Sequence, residues 1–150
     1  MGCYSSSSMV IPQTKFFKSD EKISVYIDEN SHVIYEPLDE KRRVGVIFYP
    51  GFKANHKRYS NIAFNLAKNG YFTVLCSMPY NTAFLAPNRA SAISEKYSGH
   101  VEKWVVGGHS LGGIMATKFI YNNYKSQNPN KKFSGLFLLG KYLTESIFKN

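Results

Sequence analysis

Apolar residues along this chain change their spacing several times, and each change marks an element. After a polar leader, Ile23-Ser24-Val25-Tyr26-Ile27 alternates with period two. Asp28-Glu29-Asn30-Ser31 then supplies turn residues, and His32-Val33-Ile34-Tyr35 resumes extended structure, which predicts an antiparallel hairpin. The charged stretch from Asp39 to Arg43 reads as a surface connection. Val44-Gly45-Val46-Ile47-Phe48-Tyr49 is apolar at nearly every position, as expected of a central strand covered on both faces.

Helical spacing takes over at Tyr59, Ile62, Ala63, Leu66 and Ala67, with Asn69-Gly70 as the stop. Phe72-Thr73-Val74-Leu75-Cys76 is the next buried strand. Pro87 opens a further helix with Ala90, Ile93 and Tyr97 on one side, ending near Ser98-Gly99. Trp104-Val105-Val106 is a short strand, and Leu111, Met115, Ala116, Phe119 and Ile120 make a broad helical stripe after it. Gln127-Asn128-Pro129-Asn130 forms a loop before a last core strand, Gly135-Leu136-Phe137-Leu138-Leu139. Apolar runs separated by amphipathic helices predict an α/β fold: a mostly parallel sheet flanked by helices on both faces, with the hairpin at its start. Ligand sites in such sheets lie beyond the carboxyl ends of the strands.

With 150 residues, 43% of them hydrophobic, the chain can bury one substantial core. Residues 1–20 are expected to be a disordered polar leader and 21–150 a single domain. The formal charge of +9 comes from basic residues scattered through every segment. No basic stripe is interleaved with stacking aromatics, so nucleic acid is not an expected partner. Two cysteines, Cys3 and Cys76, make no disulfide framework and favour a cytoplasmic setting. Met1-Gly2-Cys3-Tyr4-Ser5-Ser6 fits an N-myristoylation pattern, so association with a membrane is expected only if Gly2 and Cys3 are acylated. The histidines are scattered and no cysteine pair has ligand spacing; neither a metal nor a cofactor is expected.

Gly108-His109-Ser110-Leu111-Gly112 fits the G-x-S-x-G elbow, in which a serine sits on a strained strand-to-helix turn and flanking glycines relieve crowding. Ser110 is therefore the candidate nucleophile. A serine nucleophile needs a base and usually an acid to orient it, yet residues 111–150 contain neither histidine nor aspartate. His109 neighbours Ser110, but adjacent residues at a sharp turn point apart, and it is expected to pack and hydrogen-bond beneath the elbow. His56 lies in the loop after the first buried strand, either solvated or approaching the site. His32 sits on a strand and His100 on a surface turn. Tyr49 and Asn81, each following a buried strand, are candidates to line the pocket mouth. Glu145 is the only acid after Ser110.

The segments VGVIFYPGFK, GYFTVLCSMPYN, KWVVGGHSLGG and GLFLLGKY, in that order, resemble the α/β-hydrolase superfamily, nearest its small dienelactone-hydrolase-like branch, over about residues 44–142. The resemblance implies an oxyanion hole built from the backbone amides of Leu111 and Phe52. It implies a small-molecule acyl substrate, and a triad acid and histidine that follow the serine in chain order. Since neither follows here, the resemblance also implies the N-terminal two-thirds of a hydrolase domain, nearly inactive as it stands. The alternative is a non-catalytic module of the same fold that binds a ligand or a partner.

Overall fold

A computed structural model describes residues 14–39, 44–81, 86 and 88–140. Among them, strands β1 (Ile23–Ile27), β2 (Val33–Pro37), β3 (Val44–Tyr49), β4 (Phe72–Leu75), β5 (Lys103–His109) and β6 (Phe133–Leu139) form one sheet in the order β1-β2-β4-β3-β5-β6. β1 pairs antiparallel with β2, and β2 antiparallel with β4; β3 runs parallel to β4 and β5, and β5 parallel to β6. The helices are α1 (Ser60–Lys68), α2 (Arg89–Lys96) and α3 (Leu111–Lys125). The fold is the mostly parallel α/β sheet with an N-terminal hairpin that the apolar spacing predicts.

Alternation along each strand sorts side chains to opposite faces. Ile34, Ile47, Tyr49, Phe72, Val74, Trp104 and Val106 join one core with Ala90 and Ile93 of α2 and Met115, Ala116 and Phe119 of α3. Val33, Tyr35, Phe48 and Leu75 face the other way, onto Ala63 and Ala67 of α1. Both faces are thus covered, which explains why the inner strands read as continuous apolar runs rather than alternating ones. β6 pairs only with β5 among the described residues; its Phe133, Leu136, Phe137 and Leu138 are half-buried and Leu139 is exposed.

Some boundaries move. β5 continues three residues past Val106, because Gly107, Gly108 and His109 pair with Phe137, Leu138 and Leu139 of β6 and need no side chain to do so. α2 begins at Arg89 rather than at Pro87, which lies outside the described residues. Of the segment read as leader, Thr14–Phe17 form a 3₁₀ turn, with the Phe16 ring 5.5 Å from that of Phe64 on α1; residues 1–13, including Gly2 and Cys3, lie outside the described residues. No described helix is long and apolar enough to cross a membrane.

Asp28 fastens the hairpin turn to the end of α2. Its side chain is only 3% exposed and accepts hydrogen bonds from Lys96 Nζ (2.9 Å), Tyr97 Oη (2.8 Å) and the His32 amide (2.9 Å). Burial raises the Asp28 carboxyl pKa, but these donors outweigh it and the net direction is down. Asp28→Asn removes the charge and sets an NH₂ against at least one of those donors. A urea titration should show a loss of about 1–3 kcal/mol, the range for a buried polar group losing its partner. An unchanged midpoint would mean that the turn is held by its backbone alone.

Candidate active site

Parallel strands end on the same side of a sheet, so the loops after β3, β4, β5 and β6 share one edge. The turn between β1 and β2 joins them there, since Val33 at the start of β2 pairs with Leu75 at the end of β4. Backbone strain collects along this edge. The described non-glycine residues with positive φ are Ser31, Lys53, Tyr80, Asn81 and Ser110, and all lie on these connections. Such conformations cost on the order of 1–3 kcal/mol each and persist where the surroundings over-determine them.

Ser110 is the sharpest case. It has φ 53° and ψ −121°, between the last residue of β5 and the first of α3, and it is exposed. Its amide donates to the carbonyl of Leu139 at the end of β6 (3.2 Å), and its carbonyl accepts from the amide of Ile114 (3.1 Å). One bond anchors the turn to the neighbouring strand and the other starts the helix. Ser110 thus sits on a strained turn that joins β5 directly to α3.

The flanking glycines are required by contact. A Cβ on Gly108 would run into the backbone of Gly112 and Gly113. One on Gly112 would strike the carbonyl oxygens of Tyr49 and Pro50, so the first turn of α3 lies directly against the loop that follows β3. Leu111, first residue of the helix, and Phe52, in that loop, are thereby held on two touching segments. The first turn of α3 carries no acidic residue, so the unpaired amides of its N-terminus keep their positive potential at the serine. Phe52 points its ring outward at 58% exposure, with Lys53 Nζ 5.3 Å from the ring centroid.

His109 is tied beneath the turn. Its Nδ1 lies 3.0 Å from Tyr59 Oη, and the same hydroxyl accepts the amide of Gly51 at 3.0 Å. Burial raises the pKa of Tyr59, so the phenol stays protonated. Helical spacing places Tyr59 on the core stripe of α1, but it ends the 3₁₀ turn His56–Tyr59 that precedes that helix. It packs on Phe48 with ring centroids 4.7 Å apart and sends its hydroxyl to the elbow. The one available signal was chemical: a tyrosine on an apolar stripe still has a hydroxyl that needs a partner.

The remaining histidines do not gather at the serine. His56 is buried rather than solvated, and its Nε2 lies 2.9 Å from the carbonyl of Ser31 in the hairpin turn. His32 is also buried and accepts the Ser77 amide at Nδ1, 2.9 Å away. Desolvation lowers its pKa to about 4, so it is neutral near pH 7. His100 is half-buried, with its ring 5.0 Å from that of Phe72. Among the described residues, no histidine hydrogen-bonds Ser110. Tyr49 is fully buried, and its hydroxyl accepts the Ala90 amide at 2.9 Å; it belongs to the core rather than to a pocket mouth. Asn81 is exposed on the strained connection after β4, and Glu145 lies outside the described residues. The Cys76 thiol is buried and its pKa is pushed up by desolvation, which makes it unreactive. No group of three or more metal-ligating side chains occurs among the described residues.

A family model described as the alpha/beta hydrolase family matches residues 45–150. Solved structures match in fold. The hormone-sensitive-lipase homologue EstE7 from a metagenome library is 15% identical, with a TM-score of 0.62 over 89% of this chain and 49% of that one. The Francisella virulence factor BioJ is 16% identical, with a TM-score of 0.57 over 88% and 48%. A laboratory-evolved variant of potato epoxide hydrolase is 18% identical, with a TM-score of 0.58 over 83% and 42%. The chain thus spans about half the length of these structures. No curated protein sequence matches it.

Proposed function

The chain belongs to the alpha/beta hydrolase family, and from that membership we propose that it carries the nucleophile side of a serine hydrolase acting on esters or related small acyl compounds. The observation that supports the reading best is Ser110: exposed, on a strained turn between β5 and α3, beside the loop after β3. In the proposed reaction Ser110 Oγ attacks the acyl carbon and its proton passes to a base from outside the described residues. The carbonyl π pair moves onto oxygen, where the amides of Phe52 and Leu111 receive the negative charge. When the carbonyl re-forms, the bond to the leaving oxygen breaks and that oxygen takes the proton held by the base; water later attacks the acyl-enzyme, releasing the acid and returning a proton to Ser110 Oγ. Fixed amides stabilise that oxyanion without having to reorganise.

A fluorophosphonate probe tests this without needing turnover, because attack by Oγ on phosphorus expels fluoride and leaves a stable adduct. Mass spectrometry of the folded chain should find one adduct, on Ser110, and none on Ser110→Ala. No adduct, or adducts spread over several hydroxyls, would sink the hydrolase reading. The second reading is a non-catalytic binding module of the same fold, and that result would select it.

A further inference from the structure

We propose that Tyr59 is a positioning residue, whose hydroxyl takes the Gly51 amide and donates to His109 Nδ1, so that the loop after β3 and the serine turn move as one body. The hydrogen on Gly51 fixes the direction of one of the two bonds. Gly51 N–H can only donate, so Tyr59 Oη accepts there; in the arrangement proposed, the hydroxyl's own hydrogen goes to His109, 3.0 Å away. That arrangement leaves Nδ1 without a proton and places the ring N–H on Nε2. This assignment removes Nδ1 of His109 as a proton acceptor for any neighbour, the serine included.

The packing around the triplet leaves little slack. A Cβ built on Gly51 would lie 3.0 Å from His109 Nδ1 and 3.1 Å from Tyr59 Oη, so Gly51 is wedged between them. From the other side, the corresponding position on Gly140 is 3.6 Å from His109 Cδ2 and from the Ser110 amide nitrogen. His109 therefore fills the space between the loop after β3 and the turn after β6, as the sheet order β3-β5-β6 requires. Phe52 follows Gly51 directly. Tyr59 pins the Pro50–Gly51 peptide, next to the Gly51–Phe52 peptide that carries the proposed oxyanion donor and whose carbonyl accepts the Ala54 amide at 3.1 Å, while Gly112 holds the other donor's helix against Pro50. This role rests on the hydrolase reading only where it concerns rate; the hydrogen-bond assignment stands without it.

The test combines nuclear magnetic resonance with probe kinetics on the full chain. Tyr59→Phe keeps the ring on Phe48 and deletes the hydroxyl. Exchange of the Gly51 amide with solvent should accelerate at least about tenfold, and the imidazole nitrogens of His109 should change from a single tautomer to a mixture of two. His109→Asn, which leaves an acceptor near the position of Nδ1, should preserve Gly51 protection, whereas His109→Leu should lose it. With the fluorophosphonate, Tyr59→Phe should lower the limiting labelling rate about tenfold and leave the half-saturating concentration unchanged, a fraction of the 10²–10³ lost when an oxyanion donor is deleted outright. A purely structural tyrosine would alter stability without that split. Unchanged Gly51 exchange and an unchanged His109 tautomer in Tyr59→Phe overturn the proposal, whatever the probe does. If the wild type itself never labels, the hydrolase reading fails, and the exchange and tautomer results still decide the role of Tyr59. Should Tyr59→Phe not fold, the His109→Asn and His109→Leu pair decides it, and equal Gly51 protection in both overturns it.

Discussion

Gly112→Ala is expected to be among the most damaging single-methyl changes in this protein. Alanine is the better helix former by about 1 kcal/mol, so at an unobstructed helical position the change would stabilise. Here the new Cβ meets the carbonyl oxygens of Tyr49 and Pro50. These are backbone atoms of a buried strand end, and they cannot swing aside as a flexible side chain could. The first turn of α3 must retreat from the loop after β3, at a net cost of about 3 kcal/mol or more. The retreat also separates the amides of Leu111 and Phe52, and if these are the oxyanion donors proposed above, labelling of Ser110 should fall at least about 10²-fold, the range for one lost donor. Gly99→Ala is the internal control, because nothing lies within 4 Å of the added methyl; it should change stability by less than about 0.5 kcal/mol. Thermal melts of both variants and the probe kinetics check the pair. Wild-type stability in Gly112→Ala would mean that the helix and the loop are not in contact in solution.

Acid is expected to weaken the fold well above the range where carboxylates titrate. His32 is buried, and desolvation, with the positive charges of Arg89, His56 and Lys96, lowers its pKa from 6.5 to about 4; the Asp28 carboxylate opposes this without reversing it. A depressed pKa means that the folded protein binds less proton than the unfolded chain. The resulting stability is present above pH 6.5 and drains away as the pH falls toward 4, at most about 3 kcal/mol over that window. Below it both states are protonated and this source of pH dependence ends. Burial also lowers the pKa of His56, which adds a loss of the same sign. Asp28 contributes lower still, its stabilisation being lost as its own depressed pKa is passed. His32→Asn offers an amide oxygen to the Ser77 N–H in place of Nδ1 and does not titrate, so it should flatten most of the slope between pH 6.5 and 4. Urea unfolding at half-unit pH steps measures this, and equal slopes in the two proteins would remove His32 as the cause.

The elements were legible because periodicity reports burial. Ile47, Val74 and Val106 sit in unbroken apolar runs since both faces of the sheet are covered, and Tyr59, Ala63 and Ala67 recur at helical spacing since one side of α1 is. The elbow was legible too, because a serine between two glycines at a strand-helix junction admits few other conformations. Tyr59 and the histidines were not. Spacing gives the side of a helix a residue faces, but it says nothing of where a long side chain delivers its polar end. It placed Tyr59 in the core and missed its hydroxyl at Gly51 and His109. It placed Tyr49 at a pocket mouth, where the buried hydroxyl instead takes the Ala90 amide. The loop position of His56 left it either solvated or near the site, yet it is buried with Nε2 on the carbonyl of Ser31 in the hairpin turn, 25 residues away.

The sequence by itself determined the strands, the helices and the strained serine turn, since each depends on residues close in the chain and on whether a face is apolar. Only the tertiary structure decided which loops share an edge of the sheet, which hydrogen bond each buried polar group makes, and which glycines have no room for a methyl. Those depend on strand order, and strand order brings together groups as far apart as Gly51, His109 and Gly140 that no local pattern connects.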